Sequence, residues 1–196
     1  MSNVWFTSDL HIGHDLVAQE RGFSAEDHSE FLAEQWDSRI DEDDVVWVLG
    51  DLSCGKKSDQ INALHWIGDR PGRKRLILGN HDGPHPMHRD AYKWTNEYWM
   101  VFEHISTAAR IRIPRPDGHL TALLSHFPYT GDHSAGDRHV QWRLRDEGQP
   151  IIHGHTHSLE KRTYSDPGLS TQIHVGVDAW SGWPVSLDEV AELVNG

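Results

Sequence analysis

Five short apolar runs, each ending in residues able to bind a metal ion, constrain this chain more than any other feature. Val4-Trp5-Phe6-Thr7 leads into Asp9 and His11, Val45-Val46-Trp47-Val48-Leu49 into Gly50-Asp51, and Arg75-Leu76-Ile77-Leu78 into Gly79-Asn80-His81-Asp82. Leu120 to Leu124 leads into Ser125-His126, and Ile151-Ile152 into His153-Gly154-His155-Thr156-His157. Runs of this length and composition read as buried β-strands. Loops leaving the carboxyl ends of strands in an α/β sheet converge on one rim, so five such endings predict one shared site. Extended backbone sends residues i and i+2 to the same face. Asp9 with His11, and His155 with His157, can therefore aim at one point.

The donor types narrow the chemistry. Two aspartates, one asparagine and four histidines form a mixed nitrogen and oxygen set, suited to manganese, iron, zinc, nickel or cobalt rather than calcium or magnesium. Seven donors exceed what one tetrahedral ion accepts. They suit two divalent transition-metal ions about 4 Å apart, bridged by a carboxylate, an arrangement that clamps an in-line displacement at phosphorus.

Between the strands, residues 28 to 40 place Phe31, Leu32, Gln35, Trp36 and Ile40 at near-helical spacing. Residues 58 to 68 read as a second helix with Ser58 as N-cap, and Ser186 to Val194 as a capped C-terminal helix. Pro114 to Gly118 reads as a hairpin turn between strands near 108–113 and 120–124, and a further strand is expected near 172–177. The acidic run Asp41-Glu42-Asp43-Asp44 reads as a solvated turn, because consecutive carboxylates diverge and repel. Residues 83–100 and 129–149 carry no clear element, apart from a short helix near 140–145.

At 196 residues, length favours one domain over 1–196. Thirty acids against 18 bases give a net charge of −12, which disfavours a stable nucleic-acid partner or an anionic membrane. The single cysteine allows no internal disulfide, and the N-terminus lacks the character of a signal peptide. These features predict a soluble, cytoplasmic protein, acting in the host cytoplasm if the chain is viral.

The ordered motifs Asp-Leu-His, Gly-Asp, Gly-Asn-His-Asp, Ser-His and Gly-His-Thr-His resemble those of the calcineurin-like metallophosphoesterases, especially the small bacterial and phage-type members. They span Asp9 to His157, about four-fifths of the chain. The resemblance implies an α/β fold, a two-sheet β-sandwich flanked by helices in α-β-β-α layers, with a dimetal site at one edge. It places Asp9, His11 and His157 on a first ion and Asn80, His126 and His155 on a second, with Asp51 bridging. His81 is left free to protonate the leaving oxygen, as a side chain that changes charge near neutral pH can. A metal-bridging hydroxide is the implied nucleophile, and manganese the first choice of metal.

The chain also departs from relatives of known type. Where protein serine/threonine phosphatases carry an aspartate that orients the histidine and an arginine that holds phosphate, this chain has Cys54 and Gly55. Asp82 is then the nearest candidate to orient His81. His14, Asn80 and Arg138 are the candidates to touch the substrate, although His14 reads equally well as a helix start. His153 reads as structural, His174 and Asp178 as partners behind the ligands, and Trp180 and Trp183 as candidate pocket linings. Cys54 lacks a paired base and is not expected to be a nucleophile. The expected reaction is hydrolysis of a small phosphodiester such as a cyclic nucleotide. A nuclease, a nucleotide-pyrophosphate hydrolase and a non-catalytic metal-bound scaffold for a protein partner are the alternatives.

Overall fold

The computed structural model describes residues 2–167 and 169–196. A first sheet runs in the order β10 (Val185–Ser186), β1 (Val4–Thr7), β2 (Val45–Val48), β3 (Arg73–Ile77) and β4 (His104–Ser106). Strands β1 to β4 are parallel and β10 is antiparallel to β1. The second sheet runs β5 (Ala108–Arg115), β6 (Gly118–Ser125), β7 (Ile151–His153), β9 (Thr171–His174), β8 (Arg162–Tyr164). Its centre, β6-β7-β9, is parallel, and the outer pairs β5-β6 and β8-β9 are antiparallel. A bridge between Ser8 and Gly176 ties the two sheets together just beyond β1 and β9.

The alternation along β2 explains the layers. Val46 and Val48 face the helices α2 (Ala25–Asp37) and α3 (Lys57–Gly68), packing with Leu32, Trp36, Leu64 and Ile67. Val45 and Trp47 point the other way, into a core shared with Ile113, Leu124, Ile152 and Ile173 of the second sheet. A strand buried on both faces cannot alternate apolar with polar, hence the unbroken Val-Val-Trp-Val. Helix α5 (Leu187–Asn195) packs against strands of both sheets. The flanked two-sheet architecture agrees with the sequence expectation.

Local elements agree in part. Ser186 caps α5 through a reciprocal capping box with Glu189, as expected. Ser58 does not cap α3; Lys56 takes that position without a side-chain bond, and the Ser58 hydroxyl turns to Asp59 at 2.9 Å. Short α1 (Asp15–Glu20) begins just after His14, where a helix start is one reading of the sequence, α4 (Thr95–Trp99) lies in a stretch without a clear element, and the expected helix near 140 is a single 3-10 turn, Val140–Trp142.

The acidic run is a turn, but its last member is not solvated. Asp44 is buried and accepts from the Asn3 backbone N–H at 2.7 Å, from Trp5 Nε1 at 2.9 Å and from the Asp41 N–H at 3.2 Å. Burial alone would raise its pKa, but these donors outweigh burial and hold it below the usual carboxylate range. Its stabilisation is therefore complete above an unfolded value near about 3.9 and is lost as pH falls through the lower folded value. Asp44→Ala strands three donors at the start of β1 and β2. Urea denaturation at pH 7 should show a loss of about 2–4 kcal/mol, shrinking as the pH is lowered into the acid range.

Candidate metal centre

Three of the five ligand-bearing loops bend sharply as they leave their strands. Asp9, His11, Asp51, His155 and His157 all have positive φ, between 47° and 71°. Such backbone costs a non-glycine residue on the order of 1–3 kcal/mol and persists only where surrounding structure dictates it. Here the loops lock into one another. The Asp9 N–H donates to Gly50 O at 3.0 Å, His11 N–H to Asp51 O at 3.1 Å, and His155 N–H to both Asp9 carboxylate oxygens at 3.0 and 3.1 Å. Gly50 is required for this approach, since a Cβ there would lie 2.5 Å from Gly79 N and 2.7 Å from His126 Nδ1.

The expected donors gather at one rim, His155 at its side with its ring centroid 5.2 Å from that of His126 and a donor atom grouped with those of Asp132 and His133. His126 Nε2 lies 3.2 Å from Asn80 Oδ1 and 3.4 Å from Asp51 Oδ2, which is 4.0 Å from His11 Nε2. His11 Nε2 and His157 Nε2 are 3.2 Å apart, and Asp9 Oδ1 is 3.9 Å from His157 Nε2. Donor atoms of Asp9, His11 and His157 cluster within 4.8 Å, as do those of Asp9, Asp51 and His126. Asp51 stands between His11 and His126, and Asp9 belongs to both clusters. Asp9 and Asp51 are almost completely buried.

The far nitrogens of the imidazoles decide what this cluster can hold. His126 Nδ1 faces Leu49 O at 2.7 Å, His11 Nδ1 faces Ser53 O at 3.3 Å, and His157 Nδ1 faces Asp178 Oδ2 at 3.2 Å. His155 uses its other nitrogen, Nε2, 2.9 Å from Asp132 Oδ2. Carbonyl and carboxylate oxygens only accept, so each outer nitrogen carries the hydrogen and each inner nitrogen of the neutral ring presents a lone pair. The lone pairs of His11 and His157 then face each other across 3.2 Å, a repulsive arrangement unless a proton or a cation joins them. Imidazole nitrogens with carboxylate and amide oxygens suit divalent transition metals, and the residues present fit such ions.

Electrostatics agree. Burial would raise the Asp51 pKa, but His126, His81 and His11 outweigh it and hold the group well below the usual range. Burial would lower His126, yet Asp51, chiefly, and Asp9 lift it to about 9. The centre without metal thus holds a proton that a metal must displace.

Partners distant in sequence brace the ligands. Arg21 grips Asp178 with Nε to Oδ1 and Nη2 to Oδ2, both 2.8 Å, and the same Nη2 reaches Asp9 O at 2.9 Å. Asp178 was legible beside the Gly176 strand end; Arg21 carries no local signal. Asp132 was also missed. Its side chain is fully buried and receives Arg138 Nε at 3.0 Å, Arg143 Nη2 at 3.1 Å and the Arg138 N–H at 3.1 Å, besides His155.

Several candidate residues have other partners in the structure. Asp82 does not hold the His81 ring: its buried carboxylate accepts from the N–H groups of Gly79 (2.7 Å), Asp51 and Leu52 (both 3.1 Å), clamping two ligand loops together. Burial, with the charge of Asp51, raises its pKa to about 7. Among the described residues no hydrogen bond orients the His81 ring, whose Nε2 lies 4.0 Å from Asp51 Oδ2 at the open side of the centre. His14 caps α1, its Nδ1 accepting from Val17 N–H at 3.4 Å, with its ring edge-on to His11. Arg138 spends its charge on Asp132, and its Nη2 lies 2.9 Å from His133 Nδ1, so it does not stand free over the donors. Trp180 packs in the inter-sheet core and Trp183 lies against Arg39, away from the rim.

Comparison with known proteins matches residues 2–159 to the model of the calcineurin-like phosphoesterases. The chain belongs to that family. It is 59% identical over 203 residues to the Gene 66 protein of Mycobacterium phage L5, covering all of this chain and 95% of the relative. It is 57% identical over 197 residues to the Gene 66 protein of Mycobacterium phage D29, covering all of this chain and 97% of the relative. A protein of unknown function from Aquifex aeolicus shares the fold, with a TM-score of 0.68 and 21% identity over 99% of this chain and 100% of that one. The phosphopantetheinyl hydrolase of Mycobacterium tuberculosis superposes with a TM-score of 0.50 and 14% identity, over 94% and 95% of the two chains. The protein is therefore a metal-dependent phosphoesterase with histidine and aspartate clusters able to hold divalent ions. No helix among the described residues is long and apolar enough to cross a membrane.

This calcineurin-like centre should bind metal more tightly as pH rises towards about 9, because His126 must give up its proton. Calorimetric titration with Mn in buffers of different ionisation enthalpy should register that release. Asp178→Asn and Asp132→Asn should each lower metal affinity roughly 10–100-fold while leaving the ligands themselves in place.

Proposed function

We propose that this phosphoesterase hydrolyses a small phosphodiester, with a cyclic nucleotide as a suitable case. The observation that carries the reading is the set of four braced imidazoles and two buried carboxylates that converge beneath the exposed edge of His81. The cations around the centre support a diester. Arg21, Arg138 and Arg143 are each held by a carboxylate, Asp178 for the first and Asp132 for the other two. A phosphodiester brings one negative charge to this site, where a monoester dianion brings nearly two, and none of these three guanidiniums is free to meet the second. The net charge of −12 argues against a nucleic-acid polymer as substrate.

In this reading Asp9, His11 and His157 hold one ion, and Asn80, His126 and His155 hold the other, with Asp51 between them. Divalent ions, manganese by preference, supply Lewis acidity and charge neutralisation when bound. Asp82 keeps the Asp51 and Asn80 loops in register, and His81 delivers a proton from Nε2 to the departing oxygen. The phage relatives support a place of action in a host cytoplasm.

The test compares bis-p-nitrophenyl phosphate with p-nitrophenyl phosphate after stripping the enzyme and reloading it with Mn, Ni, Co, Zn or Mg. A diester preference of roughly tenfold or more in kcat/KM, restored by Mn, is expected, and Asp51→Asn should abolish it. His81→Ala should lower kcat about 10²–10⁴-fold with its metal content intact. A monoester preference would sink the diester assignment, and undiminished turnover by His81→Ala would remove its role.

A further inference from the structure

We infer that the cavity beside His81 receives one organic arm of the phosphodiester and that this arm carries a nucleobase-sized aromatic ring laid on Trp94. The inference rests on the phosphodiesterase reading above. The cavity measures about 430 Å³, and its lining includes Asn80, His81, Lys56, Gly83, His88 and Trp94. Cavities also occur behind Arg21 and Asp178, and beside Asp132, His153 and His174. Those two touch residues that brace the donors from outside. Among the three, the cavity at Trp94 alone shares Asn80 and His81, so an ester held at the centre and facing His81 extends into it.

Its walls are built rather than incidental. Gly83 follows the Asn80-His81-Asp82 motif directly, and a Cβ at that position would lie 2.5 Å from Trp94 Cγ and Cδ1. The glycine therefore lets the indole close down against the motif loop, next to His81. The ring is fixed from behind by an edge-on contact with buried Tyr98, with centroids 6.3 Å apart. Gln60 locks the same floor, accepting from Gly83 N–H at 2.7 Å and from the Tyr98 hydroxyl at 2.8 Å while donating to Gly55 O at 2.8 Å. His88 ties the opposite side to the motif loop, with Nε2 3.0 Å from Asn80 O. Trp94 itself stays partly exposed. A rigid, partly exposed indole beside a phosphoester site is a stacking surface. Planar rings gain on such a surface where a methyl group does not. Lys56, at the rim, adds a positive charge that suits the hydroxyls or a second anionic group of a nucleotide arm.

Two diesters with the same leaving group isolate this arm: thymidine 5′-p-nitrophenyl phosphate and methyl p-nitrophenyl phosphate. With the full-length Mn-loaded enzyme, kcat/KM for the thymidine ester should exceed that for the methyl ester by about tenfold. Trp94→Leu keeps an apolar side chain against Gly83 but removes the aromatic face, and it should bring the ratio close to one, chiefly through KM. Trp94→Phe should restore most of the preference, and thymidine alone should compete with the methyl ester in the wild type. Equal turnover of the two esters by the wild type, or a preference that survives Trp94→Leu, would overturn the inference and leave the phosphodiesterase reading standing. Failure of the wild type to turn over either diester would overturn both.

Discussion

The centre depends on negative charge and lone pairs packed together, with the proton held on His126 as the internal counter-charge. Asp9 and Asp51 are buried at the base of the rim, and the inner nitrogens of the histidines point at the same space. Burying carboxylates unpaired is costly, and proteins tolerate it only where a cation completes the arrangement. The nearby arginines could have served, but each is committed to Asp178 or Asp132. Those outer carboxylates in turn fix the protons on His157 and His155. Charge compensation is thus separated by radius: arginine outside, metal inside.

That separation makes the strained backbone intelligible. Five of the seven donors sit in left-handed conformations. The expected extended pairs are not what brings the donors together: Asp9 with His11 and His155 with His157 reach a common point through sharp bends instead. The interlocking backbone bonds between the β1 and β2 loops, and from the β7 loop to Asp9, carry the cost collectively. Asp82 belongs to the same scheme, since its three accepted N–H groups join the loops after β2 and β3.

Much of this was legible in the sequence because it is local. Strand runs show themselves by composition, and donors by their place immediately after those runs. The helices α2 and α3 followed from spacing, and α5 from its cap. What escaped was non-local or short. Arg21 meets Asp178 across 157 positions, and Asp132 finds His155 from within a loop that has no periodicity to read. The edge strands β4, β8 and β10 hold two or three residues each, too few for a pattern. Asp82 was assigned to its neighbour His81 by proximity in sequence, but a buried carboxylate goes where unpaired N–H groups are, and those were on the loops. Asp44 shows the same limit: a run of four acids gives no sign that only the last one turns inward.

The donors also divide along the chain. Asp9, His11, Asp51 and Asn80 follow strands of the first sheet, whereas His126, His155 and His157 follow strands of the second. The first half of the chain can build a parallel sheet with its helices, but it holds only part of either ligand cluster. Neither cluster is complete until the second sheet is in place beside the first, where the Ser8–Gly176 bridge joins them. A chain that ends before residue 126 therefore contains neither ligand cluster complete, and the hydrolytic centre belongs to the assembled pair of sheets rather than to either one.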